Sequence, residues 1–127
     1  MALVMEMPTR TALADAIAAS VDAGTAQTGG KLVIEESDDS EVSLHRFDAA
    51  AFGGGAASGV LTLASVPLDD TSAAGGTAAQ YSVYDRDDTK LWEGVVSVSG
   101  DDLDLSSLSV GVGDTVSLTA FTVTQEA

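Results

Sequence analysis

The sequence predicts a mainly β protein: an antiparallel β-sandwich or flattened barrel of about seven short strands, with one short N-terminal α-helix. Three observations support this fold class. Apolar and polar residues alternate over much of the chain, most clearly across residues 81–124. Turns rich in Gly and Asp separate the alternating runs, and helical spacing occurs in one segment near the N-terminus. A length of 127 residues is typical of one domain.

The N-terminus predicts an arm followed by a helix. Residues 1–8 form the predicted arm, whose apolar side chains are Leu3, Val4, Met5 and Met7, and Pro8 separates them from the rest. Residues 9–127 form the predicted single β-rich domain, which begins with a helix over residues 9–23. Thr9 is its expected N-cap and Gly24 its stop. The stripe expected to face the core consists of Leu13, Ile17 and Val21.

Strands are predicted at residues 31–36, 41–47, 60–66, 77–84 and 90–99, and further runs follow at residues 103–108 and 116–124. The acidic turn over residues 85–89 predicts a hairpin between the strands that flank it. Residues 67–76 are expected to form a long surface loop, because they are polar and contain two glycines. In the last run the apolar phase changes between Ala120 and Phe121, which indicates a β-bulge.

Charge excludes several classes of partner. The chain carries 20 Asp plus Glu against 5 Lys plus Arg, a formal charge of −15. Nucleic acids and anionic membranes would be repelled, so neither is an expected partner. Such a charge suits a protein that stays soluble at high local density or in salty water. The chain has no cysteine, and the N-terminus lacks the basic region and long apolar region of an export signal.

Few residues suggest chemistry, so an enzyme, a bound cofactor or a metal is not expected. His45 is the sole histidine, and no nucleophile-elbow motif is present. The number of carboxylates leaves a glycosidase-like carboxylate pair as an open alternative, but the single Trp provides little aromatic surface for stacking against a sugar. The glycines at residues 53–55 lack the ending of a phosphate loop.

Two acidic turns are candidates for Ca²⁺. The first contains Asp85, Asp87 and Asp88, and the second contains Asp101, Asp102 and Asp104. Neither has the spacing of an EF-hand, and the favoured interpretation is a solvated turn that protects strand edges.

Several segments together resemble a family of small virion structural proteins of tailed bacteriophages and prophages. They are residues 10–17 (RTALADAI), 31–34 (KLVI), 81–88 (YSVYDRDD), 94–105 (GVVSVSGDDLDL) and 113–124 (GDTVSLTAFTVT). The likeness spans nearly the whole chain, and its strongest part is the last two segments. These motifs belong to the scaffold and identify no reactive site. The acidity of this chain departs from the family pattern.

The resemblance implies a capsid decoration, or cement, protein. Such a protein is assembled in the host cytoplasm, lies on the outer capsid surface, often as a homotrimer, and clamps neighbouring subunits of the major capsid protein. The expected capsid contact is the arm, through Leu3, Val4, Met5 and Met7. Two alternatives stay open: a neck, tail or fibre-associated module of the virion, and a Ca²⁺-dependent or carbohydrate-binding adhesion module.

Overall fold

A computed structural model describes residues 6–53, 56–64, 68–98, 103–105, 107–118 and 121–124. Within these ranges the chain forms one helix and eleven short strands, which confirms the predicted β-rich fold with a single N-terminal helix. The elements are α1 (Met7–Val21), β1 (Lys31–Glu35), β2 (Glu41–Arg46), β3 (Val60–Thr62), β4 (Leu68–Asp70), β5 (Gly76–Thr77), β6 (Gln80–Tyr84), β7 (Lys90–Ser97), β8 (Leu103–Asp104), β9 (Ser109–Val110), β10 (Val116–Leu118) and β11 (Thr122–Thr124).

The largest sheet has five strands in the order β2-β1-β6-β7-β8. The hairpins β1–β2 and β6–β7 are antiparallel, and β1 joins them by pairing with β6. The predicted hairpin around the turn at residues 85–89 is therefore confirmed. β8 runs parallel to β7 and is the exception to the antiparallel pattern.

A long antiparallel ribbon forms the second group of strands. In the described parts of residues 60–77 and 109–124, β3 pairs with β11, β4 with β10 and β5 with β9. Each of these segments is divided into three strands, which is why the chain has eleven strands where about seven were predicted. The predicted loop at residues 67–76 was wrong in part, because it contains β4 and the start of β5.

The ribbon changes register near the predicted bulge. Leu68 is opposite Leu118, but Thr62 is opposite Thr122, so five residues on one side span the interval that three span on the other. Residues 65–67 and 119 of this interval lie outside the described residues. Ala120, on one side of the predicted bulge, lies outside the described residues.

One hydrophobic cluster forms the core. It lies between one face of the five-stranded sheet, from which Leu32, Ile34 and Val83 point inward, and a second layer formed by α1 and the ribbon. From α1 the buried residues are Ala14, Ala18 and Val21, while Leu13 is 42% exposed. The predicted stripe was thus wrong at Leu13 and right at Ile17, which packs against the core, and at Val21, which is buried.

The helix also begins earlier than predicted. Its first residue is Met7, its N-cap is Glu6, and Pro8 lies within the first turn. Proline is compatible with this position because the first backbone N–H groups of a helix have no partner inside it. Pro8 therefore belongs to the helix and does not precede it, and Thr9 is not the N-cap.

Polar side chains of α1 hold the segment that precedes β3. The Thr11 hydroxyl accepts a hydrogen bond from the Gly59 N–H, and Asp15 accepts one from Ala56 N–H at 2.7 Å. Asp22 accepts one from the Ala51 N–H. Loop N–H groups that have no partner in a helix or strand therefore donate to these carboxylates.

Candidate functional site

The predicted capsid-contact residues are only partly described by the structure. Leu3, Val4 and Met5 lie outside the described residues. Met7 is the first residue of α1, and its side chain is 39% exposed. One of the four predicted contact residues is therefore a helical residue with an accessible apolar side chain.

His45 is fully buried between β2 and β4. Its Nδ1 lies 2.9 Å from the Leu68 carbonyl oxygen, and its Nε2 lies 3.1 Å from the Ser43 Oγ. A carbonyl can only accept, so Nδ1 carries the proton and the Ser43 hydroxyl donates to Nε2. Burial lowers the pKa of His45, against the opposing effects of the Leu68 carbonyl and of Asp70 and Asp69. The neutral ring of His45 therefore links β2 to β4, and both of its nitrogens are hydrogen-bonded.

The first acidic turn is bound internally at each carboxylate. Asp85 accepts hydrogen bonds from the N–H groups of Asp87 and Thr89. Asp87 accepts from Thr25 and Ala26 N–H, both at 3.0 Å, and these bonds hold the pKa of Asp87 below its usual range.

The third carboxylate of this turn, Asp88, reaches across the end of the sheet. It lies 3.4 Å from the Lys31 Nζ and 3.9 Å from Arg46. The turn therefore connects the 24–30 segment and the ends of β1 and β2, contacts that the expected solvated turn did not include.

Two further carboxylates are internal acceptors that the sequence did not single out. Glu35 is 4% exposed and accepts a hydrogen bond from the Ser82 hydroxyl at 2.7 Å. Asp70 accepts from the Leu44 N–H at 2.9 Å, on the edge of β2 that pairs with no other strand in the described part of the chain. Alternation alone could have placed Glu35 in a strand, but its buried partner Ser82 lies 47 residues away.

The remaining candidates are described in part. Asp101 and Asp102 of the second acidic turn lie outside the described residues, and Asp104 belongs to β8. In the Gly-rich segment Phe52 is buried and Gly53 has a φ of 57°, the left-handed conformation that glycine favours. Gly54 and Gly55 lie outside the described part.

Within the described ranges, no three His, Cys, Asp or Glu side chains are grouped so that they could hold a metal ion. In the same residues no helix is long and apolar enough to cross a lipid bilayer. No family model, curated protein or solved structure matches the chain. The described geometry is that of a β-scaffold whose polar side chains bind its own backbone.

Proposed function

We propose that this protein is a non-enzymatic structural protein of a tailed-phage virion, and that it decorates the outer capsid surface as a cement protein. The observation that carries a scaffold role is the internal use of its polar side chains. His45, Glu35, Asp70 and the acidic turn each bind other parts of the same chain. The exposed surface is then what remains for function.

Two further features favour the virion surface over other scaffold roles. The first is the resemblance of residues 94–105 and 113–124 to small phage virion proteins. The second is the charge of −15, which is repelled by packaged DNA and is therefore suited to the outside of a shell. High charge also keeps many copies soluble before assembly.

The proposed mechanism is multivalent stabilisation. A decoration protein that contacts two neighbouring subunits of the major capsid protein adds a small free energy at each contact. Because the shell is closed, many such contacts act together, and the loss of one leaves the neighbouring contacts in place. The contact we propose is the arm, with Leu3, Val4 and Met5 laid along a capsid subunit, for example as a strand added to its edge.

The arm can be tested without disturbing the helix. Deleting residues 2–5 retains Glu6, whose carbonyl oxygen accepts the hydrogen bond of the Arg10 N–H. We expect the deletion variant to keep its β-rich circular dichroism spectrum and to lose binding to capsids. Replacing the exposed Val112 with Ser is a matched control, since this side chain is 86% exposed in a turn far along the chain. Capsid binding by the deletion variant at the wild-type level would contradict the role of the arm.

The neck or tail module is the alternative within the same class, and electron microscopy of reconstituted particles separates the two by position. The adhesion module depends on the acidic turns, of which the described one has all three carboxylates in internal contacts. We therefore propose the capsid role first.

A further inference from the structure

Arg10 is the one Lys or Arg residue of the chain that has no partner within the described residues. The other four each contact an oxygen of the same chain: they are Lys31, Arg46, Arg86 and Lys90. The Arg10 Nε is buried without a hydrogen-bond acceptor, and the guanidinium forms no ion pair with a described carboxylate. A buried N–H without an acceptor is rare in folded proteins. Because the chain carries 20 Asp and Glu, the lack of an acidic partner in the described part is a specific feature of this arginine.

Exposed apolar side chains flank Arg10 on both sides along α1. Met7 lies three residues before it and Leu13 three residues after it, and residues at this spacing are neighbours on a helix surface. Met7 is 39% exposed and Leu13 is 42% exposed. We call these three residues the Arg10 row. At 1.5 Å per residue the row is about 9 Å long, and it presents a cation between two apolar side chains.

The surroundings of the Arg10 row contain few carboxylates, although the chain carries −15. Residues 7–14 and 56–64 contain no Asp or Glu, and a hydrogen bond to a helix hydroxyl joins the second segment to the first. Two carboxylates border this region. Asp15 already accepts a hydrogen bond from the second segment, and Glu6, one turn before Arg10, forms no ion pair with it. An acidic group of another molecule is therefore repelled less here than over the acidic turns.

We infer that the Arg10 row continues the contact made by the arm, and that it binds an apolar surface of the major capsid protein with a carboxylate at its centre. This inference rests on the proposed capsid role. Residues 2–5 of the arm directly precede α1 in the chain, so a partner that binds the arm lies within reach of the first turns of the helix. The carboxylate pairs with the Arg10 guanidinium, and the apolar surface around it covers Met7 and Leu13.

The apolar flanks decide how much this pairing contributes. An ion pair on an open surface contributes little, because water and salt screen it. Contacts that exclude water from a charged pair raise its contribution, and arginine is enriched at such central positions of interfaces. A second copy of the chain is a poorer occupant, because two copies with −15 each repel one another. The capsid protein is the partner proposed for the adjoining arm, so one contact then accounts for both segments.

Sedimentation of the full chain with capsids stripped of it measures the contribution of Arg10. Arg10→Gln should weaken binding at least about tenfold in about 0.1 M salt, and it should reduce the dependence of binding on salt. The control is Lys90→Gln, which makes the same change of net charge at a cation that already pairs with Glu93 and should bind as the wild type does. Arg10→Lys keeps the charge without the planar fork and should lose less than Arg10→Gln.

A second pair of variants tests the apolar flank. Leu13→Asp would place an unpaired carboxylate in the contact and should weaken binding at least about tenfold. Val95→Asp adds the same charge at a side chain of β7 that is 53% exposed, and it should leave binding unchanged. Glu6→Gln removes the carboxylate nearest to Arg10 along the helix and should not weaken binding. Circular dichroism confirms that each variant is folded.

Urea unfolding separates a binding role of Arg10 from a structural one. Because Arg10 has no partner within the described residues, Arg10→Gln should leave the free energy of unfolding unchanged. A loss of stability that accompanies the loss of binding would assign Arg10 to the fold and overturn the inference.

The binding results also distinguish this inference from the capsid role on which it rests. Wild-type binding that both Arg10→Gln and Leu13→Asp leave intact would overturn the inference alone. No binding by the wild-type chain would overturn both. Oligomers of the free chain that these two variants dissociate, with capsid binding unaffected, would identify a second copy as the occupant and would also overturn the inference.

Discussion

Gly29→Ala is the substitution whose effect on stability follows most directly from the geometry. Gly29 is buried beside the end of β2, and a Cβ at this position would lie 2.1 Å from the Phe47 carbonyl oxygen and 2.6 Å from that of Asp48. Real Cβ contacts are essentially never under 3.0 Å, so the backbone must separate by about 0.9 Å. Neither oxygen can rotate away, because both belong to the main chain.

The required shift also breaks a local contact. Phe47 donates its N–H to the Gly30 carbonyl oxygen at 2.8 Å, which holds the two segments at their present separation. Overpacking of a rigid site lowers the free energy of unfolding by about 1–3 kcal/mol, and the lost hydrogen bond by about 1 kcal/mol. We therefore expect Gly29→Ala to reduce the free energy of unfolding by about 3 kcal/mol.

Urea unfolding measures this loss, and Gly111→Ala is the matched control. A Cβ at Gly111 meets the Asp114 carboxylate at 2.9 Å, the end of an exposed side chain that can move. The control should lose less than about 1 kcal/mol, with the same dependence on urea concentration. If Gly29→Ala were no more destabilising than the control, the close approach of the 24–30 segment to β2 would be wrong.

Two further predictions concern His45 and the first acidic turn. Burial lowers the pKa of His45 in the folded state, so the unfolded chain takes up a proton first as pH falls through about 6.5. The free energy of unfolding should therefore decrease from pH 8 to pH 5.5, by up to about 1.4 kcal/mol per pH unit. His45→Gln should remove that slope in urea titrations; an unchanged slope would contradict the buried neutral ring. Millimolar Ca²⁺ should not raise the melting temperature, because Asp85, Asp87 and Asp88 are already occupied; a rise abolished by Asp87→Asn would refute this.

Local sequence patterns predicted the elements whose partners are close in sequence. The hairpin of β6 and β7 follows from alternation on both sides of a short acidic turn, and its strands meet the turn as predicted, although β6 begins at Gln80 and Thr77 belongs to β5. The helix was predicted from spacing, and its inner face was predicted correctly at Ile17 and Val21. Leu13 is hydrophobic and exposed, while Ala14 and Ala18 are buried, because which side of a helix packs depends on tertiary neighbours that the local pattern does not contain.

The ribbon could not be read from local pattern, since its pairing is distant in sequence. Leu68 and Asp70 form a strand only because Leu118 and Val116 lie opposite them. The polar and Gly-rich character of residues 67–76 favoured a loop, and a strand of three residues gives little local signal against it.

The candidate sites also combine features that are local in sequence with partners that are distant. The acidic turn was identified from sequence, but the partners of Asp87 are Thr25 and Ala26, about sixty residues earlier in the chain. Which residues of β2, β1, β6 and β7 share a face depends on three strand registers and two bulges. A bulge moves a residue such as Glu41 from one face of the sheet to the other, and the alternation of apolar residues in the sequence does not reveal it.

The most direct test of the proposed function is reconstitution on capsids. Purified protein is mixed with particles stripped of it, and the returning density is located by electron microscopy. The proposal predicts regular density over the outer capsid lattice for the full chain and its loss on deletion of residues 2–5. Density restricted to the neck or tail, or no density on the particle, would contradict it.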